Sequence, residues 1–303
     1  MIFCTLSDDK YLLQGLALVH SIKNYSFEDY KIYYLCLDDN TYNTIEKISK
    51  LENLKLYPIS YSSLERKYPQ ILDLKSKDFK DYCFSFSALL PKYIFEVYFE
   101  ENILYVDSDT MFYYDPKIIY DEIGYNDVGI IRHRFNDRTH PSGEYNANVI
   151  YFRNTTNGNK VLDWWHVSFM TKNPARLSTC GDQKYMEGFE NIIGRQNICV
   201  IDDKVGHGAP WNFYLYKYDK FDQLPKIIQW ENKEQIFVFN HFSQFYYDFN
   251  ASAFSYSGNS HLEYTFFNKI FDHTPFLKNM YIEYYEILKL LNLRYNLNIG
   301  QKQ

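Results

Sequence analysis

The stretch Ile103-Leu104-Tyr105-Val106-Asp107-Ser108-Asp109 joins four apolar residues to two carboxylates that are separated by one residue. The apolar run predicts a short, buried β-strand. Side chains at positions i and i+2 of an extended segment point the same way, so both carboxylates could reach one cation. Oxygen ligands of this kind suit Mg²⁺ or Mn²⁺. An acidic turn after a strand is the alternative interpretation of the same residues.

Around this stretch, short strand-like runs alternate with amphipathic segments. We expect strands at 2–6, 31–37, 54–59, 103–106, 128–131 and 148–152. We expect helices at about 11–24, 42–51, 85–99, 158–170 and 281–291, with another that begins near 182. This order predicts an α/β protein with a mainly parallel, Rossmann-like central sheet and helices on both faces. In such sheets ligands bind at the carboxyl ends of the strands, which is where Asp107 and Asp109 fall.

Composition excludes several classes of protein. A net charge of -6 over 303 residues argues against a nucleic-acid partner, which needs a clustered positive field. Five cysteines without CxxC spacing argue against a disulfide framework and a structural zinc site. No run approaches the ~18 apolar residues that cross a bilayer, and the N-terminus lacks a basic signal region. We expect a cytoplasmic protein, with a peripheral position on a membrane left open.

The chain shows no Pro/Gly/Ser-rich linker and no repeat. We therefore expect one catalytic domain at 1–250 and a C-terminal helical extension, packed on it, at 251–303.

Several motifs occur in an order that resembles the GT-A glycosyltransferases, in particular family 8 and a related group of bacterial nucleotide-diphospho-sugar transferases. The resemblance covers residues 2 to about 245. The segments that carry it are 87–93 (SALLPKY), 103–109 (ILYVDSD), 145–152 (YNANVIYF), 181–185 (GDQKY), 209–212 (APWN) and 239–242 (FNHF). It implies the GT-A fold and transfer of a sugar from a nucleotide-diphosphate donor.

The resemblance also implies a metal site made of Asp107, Asp109 and His241. Imidazole is a reasonable ligand for Mn²⁺, so we expect Mn²⁺ (or Mg²⁺) as the cofactor. A buried histidine with a purely structural role is the alternative for His241.

A donor site is implied as well. Its expected residues are Leu6, Ser7, Tyr11, Lys92, Asp107, Ser108, Asp109, Asn146, Asn148 and Asn212. Tyr11 would stack on the nucleotide base, and Lys92 would replace the arginine that family 8 usually has in this helix. Asn148 stands where these enzymes more often have glycine.

Asp182 and Gln183 are the expected catalytic residues. By the resemblance, Asp182 would hold hydroxyls of the donor sugar, and Gln183 would lie beside the anomeric carbon. Both residues begin a predicted helix, where the helix dipole and free N–H groups stabilise negative charge. A helix cap is the alternative role for Asp182. The basic loop at 132–145, with Arg132, His133 and Arg134, could meet phosphates or an acidic acceptor, or could simply be solvated.

The sequence thus predicts a metal-dependent, retaining glycosyltransferase that uses a UDP-sugar. The acceptor would be a glycan, a lipid-linked sugar or a protein. A sugar nucleotidyltransferase is one alternative, but it should carry a glycine-rich loop after the first strand, and the first glycine here is Gly15. A non-catalytic carbohydrate-binding protein is the other. A glycosidase is disfavoured, because Asp107 and Asp109 are too close in sequence to flank a sugar.

Overall fold

The computed structural model describes residues 1–135, 141–171, 182–221, 223–256, 271 and 274–302. Within them, the strands are β1 (Ile2–Ser7), β2 (Lys31–Cys36), β3 (Leu56–Ser60), β4 (Asn102–Val106), β5 (Thr110–Phe112), β6 (Val128–Arg132), β7 (Tyr145–Arg153), β8 (Ile198–Val200), β9 (Val205–Gly208), β10 (Lys217–Lys220), β11 (Ile227–Trp230), β12 (Lys233–His241), β13 (Phe245–Asp248), β14 (Ala253–Tyr256) and β15 (Gln301–Lys302). The α-helices of the same residues are α1 (Leu12–Tyr25), α2 (Asp39–Leu51), α3 (Tyr61–Lys67), α4 (Leu72–Lys77), α5 (Phe79–Tyr98), α6 (Lys117–Ile123), α7 (Thr156–Met170), α8 (Phe189–Ile193) and α9 (Pro275–Tyr295).

The central sheet has the strand order β3-β2-β1-β4-β7-β6-β8. Its first four strands are parallel, β7 runs antiparallel to both β4 and β6, and β8 is parallel to β6. Alternate side chains of β4 enter two different cores. Leu104 and Val106 pack with α1 and α9, whereas Ile103 and Tyr105 pack with α5 and α7. The mainly parallel sheet with helices on both faces is therefore confirmed.

A second sheet explains how distant parts of the chain meet. It has the order β10-β11-β12-β5, with β9 pairing to β12. Strand β5 begins directly after the acidic motif and pairs antiparallel with β12, so that Thr110 lies opposite His241. The backbone N–H of Phe242 also donates to the carbonyl of Asp109, at 2.8 Å. This register places the end of β12 beside the acidic motif.

The C-terminal segment contributes strands as well as a helix. Strands β14, β13 and β15 form a small antiparallel sheet, and the division expected at 250 falls in the turn between β13 and β14. Helix α9 packs against α1, and its Tyr284 stacks on Phe242 with ring centroids 3.7 Å apart. The division into a domain and an extension stays a prediction. Among the described residues, no helix has both the length and the apolar character needed to span a bilayer.

Candidate active site

The acidic motif forms a turn at the carboxyl end of β4. The N–H of Thr110 donates to the carbonyl of Asp107 at 3.1 Å, so the expectation of an extended segment here is wrong. The turn still brings both carboxylates to one side. Ligand atoms of Asp107, Asp109 and His241 all lie within 4.8 Å of one another, and His241 Nε2 is 3.1 Å from Asp109 Oδ1. Two anionic oxygens and an imidazole nitrogen form a donor set that fits Mn²⁺ or Mg²⁺.

The charged groups of this cluster shift one another's pKa values. Burial raises the pKa of Asp107 to about 6; His241 opposes this shift and Asp109 adds to it. Burial lowers the pKa of His241, but the carboxylates of Asp109 and Asp107 outweigh it, so the net shift is upward. Tyr105 donates its hydroxyl hydrogen to Asp107 Oδ1 at 2.9 Å and fixes that oxygen. Because metal ligands must be deprotonated, a divalent cation would take the place of the imidazole proton.

Asp182 lies beside this cluster, directly before a 3-10 helix at Gln183–Gly188. Its side chain makes no capping hydrogen bond among the described residues, and Trp165 Nε1 holds its backbone carbonyl at 3.0 Å. Only 4% of Asp182 is exposed. Burial raises the pKa of its carboxyl to about 7; a hydrogen bond from Ser87 opposes this, and Asp107 adds to it. The capping alternative is therefore not the role that the geometry gives Asp182, and Gly181 lies outside the described residues.

We compared the sequence and the fold with those of known proteins. No family model matches the chain. The uncharacterized protein YfnF of Bacillus subtilis is 27% identical over 231 residues, which are 70% of this chain and 72% of YfnF. The galactosyltransferase LgtC, solved with donor and acceptor sugar analogues, is 14% identical. The match covers 80% of this chain and 86% of LgtC, with a TM-score of 0.50. The chain has the GT-A glycosyltransferase fold.

The GT-A fold and the resemblance to glycosyltransferases that have it are thus confirmed. Mouse xyloside xylosyltransferase 1 is another similar structure, at 12% identity and a TM-score of 0.49, over 68% of this chain and 88% of that one. The roles of individual residues stay predictions, and their places in the structure follow.

Asn146 and Asn148 lie on β7, next to β4. Asn146 Oδ1 accepts from the N–H of Asn148 at 2.8 Å, and the carbonyl of Asn148 accepts from the N–H of Asp107 at 2.9 Å. The side-chain amide of Asn148 donates to Thr110 Oγ1 at 2.5 Å and also opposes the upward shift of the pKa of Asp107. The side chain of Asn148, which stands in place of glycine, therefore contacts Thr110, the residue that directly follows the acidic motif.

The end of β1 supplies the residues expected at the nucleotide base. Ser7 Oγ lies 2.6 Å from the hydroxyl of Tyr34. This hydroxyl has room because residue 15 is glycine, and a Cβ there would lie only 1.8 Å from the hydroxyl oxygen. Leu6 is half-buried beside it. Tyr11 is 37% exposed, and burial together with the charge of Asp109 raises the pKa of its hydroxyl. Tyr11 is thus partly exposed and near the charge of Asp109, and its stacking on a nucleotide base stays a prediction.

Two residues that were expected to bind the donor, Lys92 and Asn212, contact other parts of the protein. Lys92 forms ion pairs with Asp163 of α7 and with Glu96, so it would have to leave both carboxylates to reach a phosphate. Asn212 is fully buried; its Oδ1 accepts from the N–H of Ala209 at 2.9 Å, and its Nδ2 donates to the carbonyl of His133 at 3.3 Å. Asn212 closes a turn in this structure.

Trp211 forms a wall beside the metal cluster. Its ring meets His241 edge-on, with centroids 5.4 Å apart and an interplanar angle of 88°. The indole Nε1 donates to the carbonyl of His133 at 3.0 Å, and the His133 ring stacks on Phe135. Ser108, the remaining donor-site residue, is buried.

The basic loop after β6 uses its arginines for internal contacts. Arg132 pairs with Glu144 and, at 3.0 Å, with Asp202. Arg134 is buried, lies 4.1 Å from the ring centre of Trp230 and donates to the carbonyl of Val205. Both guanidinium groups are thus bound within the protein; residues 136–140 of the loop lie outside the described residues.

Sequence reasoning missed two hydroxyls in the site, those of Tyr105 and Ser87. The signal for Tyr105 was available, because a residue two positions before Asp107 on a strand shares its side of the sheet. The signal for Ser87 was weaker: a serine on the apolar face of α5 must find a partner once buried.

Proposed function

We propose that this protein is a glycosyltransferase that moves a sugar from a nucleotide-diphosphate donor, a UDP-sugar, to an acceptor hydroxyl with the help of Mn²⁺ or Mg²⁺. The observation that carries the proposal is the cluster of Asp107, Asp109 and His241, with Asp182 beside it, at the carboxyl edge of β4. Because the chain has a net charge of -6, an anionic diphosphate would need a metal or a few local cations to screen it, and this cluster offers three ligands for a metal.

Each residue has a task that its surroundings support. Asp107, Asp109 and His241 would hold the cation, which neutralises charge on the departing diphosphate. Tyr105 keeps one oxygen of Asp107 in place, and Asn148 opposes the upward shift of its pKa. Tyr11 offers an accessible ring for the nucleotide base.

Asp182 and Gln183 act on the sugar in this proposal. Asp182 orients the sugar hydroxyls, and Gln183 lies beside the anomeric carbon. Resemblance to family 8 favours retention of configuration and a transition state of oxocarbenium character. The acceptor hydroxyl belongs to a glycan, a lipid-linked sugar or a protein, and donor contacts at Leu6, Ser7, Ser108 and Asn146 remain part of the proposal.

The deciding experiment is a panel of nucleotide sugars and free nucleoside diphosphates, tested for thermal stabilisation with Mn²⁺ and with EDTA. A ligand at about 100 times its Kd stabilises a protein by ~2.7 kcal/mol, which is a readily measured rise in melting temperature. We expect UDP and one UDP-sugar to stabilise the protein with Mn²⁺ and to lose most of that effect in EDTA.

Turnover of the stabilising donor is measured next, as release of UDP with and without sugar acceptors. Binding without UDP release under any condition would instead support a non-catalytic carbohydrate-binding protein. Release of pyrophosphate from UTP and a sugar phosphate would support a nucleotidyltransferase. If no nucleotide of any kind stabilises the protein with Mn²⁺, the proposal is wrong.

A further inference from the structure

The 3-10 helix Gln183–Gly188 is held near both of its ends. Directly before its start, the carbonyl of Asp182 accepts from Trp165 Nε1 of helix α7 at 3.0 Å. Near its end, Glu187 Oε1 accepts from the backbone N–H of Glu144 at 3.0 Å and so binds the loop that follows β6. The orientation of the segment between these two contacts therefore depends on that loop as well as on α7.

Two features of the chain allow Glu187 to reach the loop. Lys184 Nζ, one turn earlier in the 3-10 helix, donates to Glu187 Oε1 at 3.0 Å and so holds that oxygen in place. Residue 143 is a glycine with a φ of +91°, a conformation that other residues rarely adopt. A Cβ there would lie 3.1 Å from Glu187 Oε1 and 3.1 Å from Lys184 Cδ. A larger residue at position 143 would therefore push the loop away from the 3-10 helix.

The same loop is tied to the metal side of the site through His133. Its ring Nδ1 lies 2.9 Å from the carbonyl oxygen of Gly143, which can only accept, so Nδ1 carries the hydrogen of this bond. The backbone N–H of His133 donates to the carbonyl of Glu144 at 2.9 Å. The carbonyl of His133 accepts from Trp211 Nε1 at 3.0 Å, and the Trp211 ring meets the ring of His241. Direct contacts thus run from the 3-10 helix, through the loop, to the metal cluster.

We propose that Glu187, Gly143, Glu144 and His133 form a strut, which fixes the distance between Gln183 and the metal cluster, and that Glu187 is a positioning residue for sugar transfer. This inference rests on the proposed function, in which the metal holds the diphosphate of the donor and Gln183 lies beside its sugar. Misplacement of a reacting group by about 1 Å can lower a rate by about a hundredfold. The strut gives the loop after β6 a task that does not depend on its basic side chains.

Three variants of the whole chain test the proposal by kinetics. Glu187→Ala removes the oxygen that accepts from the N–H of Glu144, whereas Glu187→Gln keeps a side-chain oxygen that can accept the same bond. Glu190→Ala is the control, because it removes an exposed carboxylate from the adjacent helix α8. We expect Glu187→Ala to lower kcat about tenfold and to leave the Kd of UDP with Mn²⁺ unchanged. Glu187→Gln should recover most of the kcat, and Glu190→Ala should keep the wild-type value.

Hydrogen exchange measures the strut without any turnover. The amide of Glu144 is the group that Glu187 holds, so loss of this hydrogen bond in Glu187→Ala should speed its exchange by about fivefold. Exchange of the β4 amides should stay as in the wild type, because the central sheet does not depend on this contact. Gly143→Ala disrupts the same contact from the loop side, and it should speed exchange at Glu144 and lower kcat to a similar extent.

The two measurements keep the outcomes distinct. If the wild type turns over no donor, the proposed function fails, and exchange at Glu144 still decides whether Glu187 holds the loop. Wild-type exchange at Glu144 in Glu187→Ala would overturn the strut, and a wild-type kcat in that variant would overturn its role in transfer. A loss of UDP affinity as large as the loss of kcat would also overturn the inference, because Glu187 would then support the site as a whole and not the placement of Gln183.

Discussion

Asp109 and Asp182 flank the same carboxylate, Asp107, in different surroundings. Asp109 has an imidazole nitrogen at 3.1 Å, whereas Asp182 has a serine hydroxyl and its own backbone amide. A carboxylate beside an imidazole can share a metal ion with it, and the ligand atoms of Asp109 and His241 lie close enough to do so. A buried carboxyl with a pKa of about 7 can gain or lose a proton near neutral pH. In the proposed function, residues of one type would thus have two different tasks, which their neighbours favour.

The largest effect is expected for Asp109→Asn, which replaces an anionic ligand by a neutral amide. Transfer should fall by at least about a hundredfold, because charge on the leaving diphosphate would no longer be neutralised. The melting temperature should change little. Asp115→Asn is a matched control, since Asp115 is also buried and bonds the N–H of Lys117 at 3.0 Å. Full activity of Asp109→Asn, or wild-type activity in EDTA, would contradict the metal role.

A second large effect is expected for Asp182→Asn, which should lower kcat by about a hundredfold and spare the affinity for UDP. In the wild type, an ionised Asp182 is required in this mechanism, so kcat should rise with pH to a plateau above about 7. The variant should lack this limb. A well-folded variant with wild-type turnover would remove Asp182 from the site.

The thermal stability of Asp182→Asn should rise above pH 7, although its kcat should fall. Burial raises the pKa of Asp182 from 3.8 to about 7, so folding favours its neutral form. The contribution of this group to stability is fully present below pH 3.8 and is lost as the pH rises through about 7. Asparagine stays neutral, so Asp182→Asn should melt higher than the wild type above pH 7, and the difference should disappear near pH 4. A lower melting temperature at high pH would mean that the carboxylate stabilises the fold.

Fold and site were predictable to different degrees. The strand that ends in Asp107 and the parallel order around it follow from local patterns of apolar residues. The meeting of His241 with Asp109 depends on pairing between β5 and β12, across about 130 residues, and only the resemblance supplied it. The influence of Ser87 on the pKa of Asp182 depends on how α5 docks on β4, which no local pattern records. For Arg134 the sequence left two roles open, an anion contact or a solvated loop residue, and the structure instead buries its guanidinium against Trp230.

A moderate effect is expected for His241→Ala. Loss of one neutral ligand should weaken Mn²⁺-dependent binding of UDP by about tenfold, as measured by calorimetry. Binding of UDP in EDTA should not change. His20→Ala is a suitable control, because His20 bonds the hydroxyl of Tyr295 at 2.7 Å, at the contact between α1 and α9. Wild-type affinity in His241→Ala would leave His241 with a structural role only, and the two carboxylates would then have to hold the metal without it.

The smallest effect is expected for Asn148→Gly, which restores the residue that similar enzymes more often have. It removes the amide that bonds Thr110 and opposes the upward shift of the pKa of Asp107, and one hydrogen bond contributes about 1 kcal/mol, or roughly fivefold in affinity. Because Tyr105 still holds Asp107, we expect only about a threefold loss in Mn²⁺-dependent UDP affinity. Thr110→Val removes the other partner of the amide and should change the affinity less. If Asn148→Gly binds UDP more tightly than the wild type, the backbone at 148 limits access of the donor, and the amide does not support Asp107.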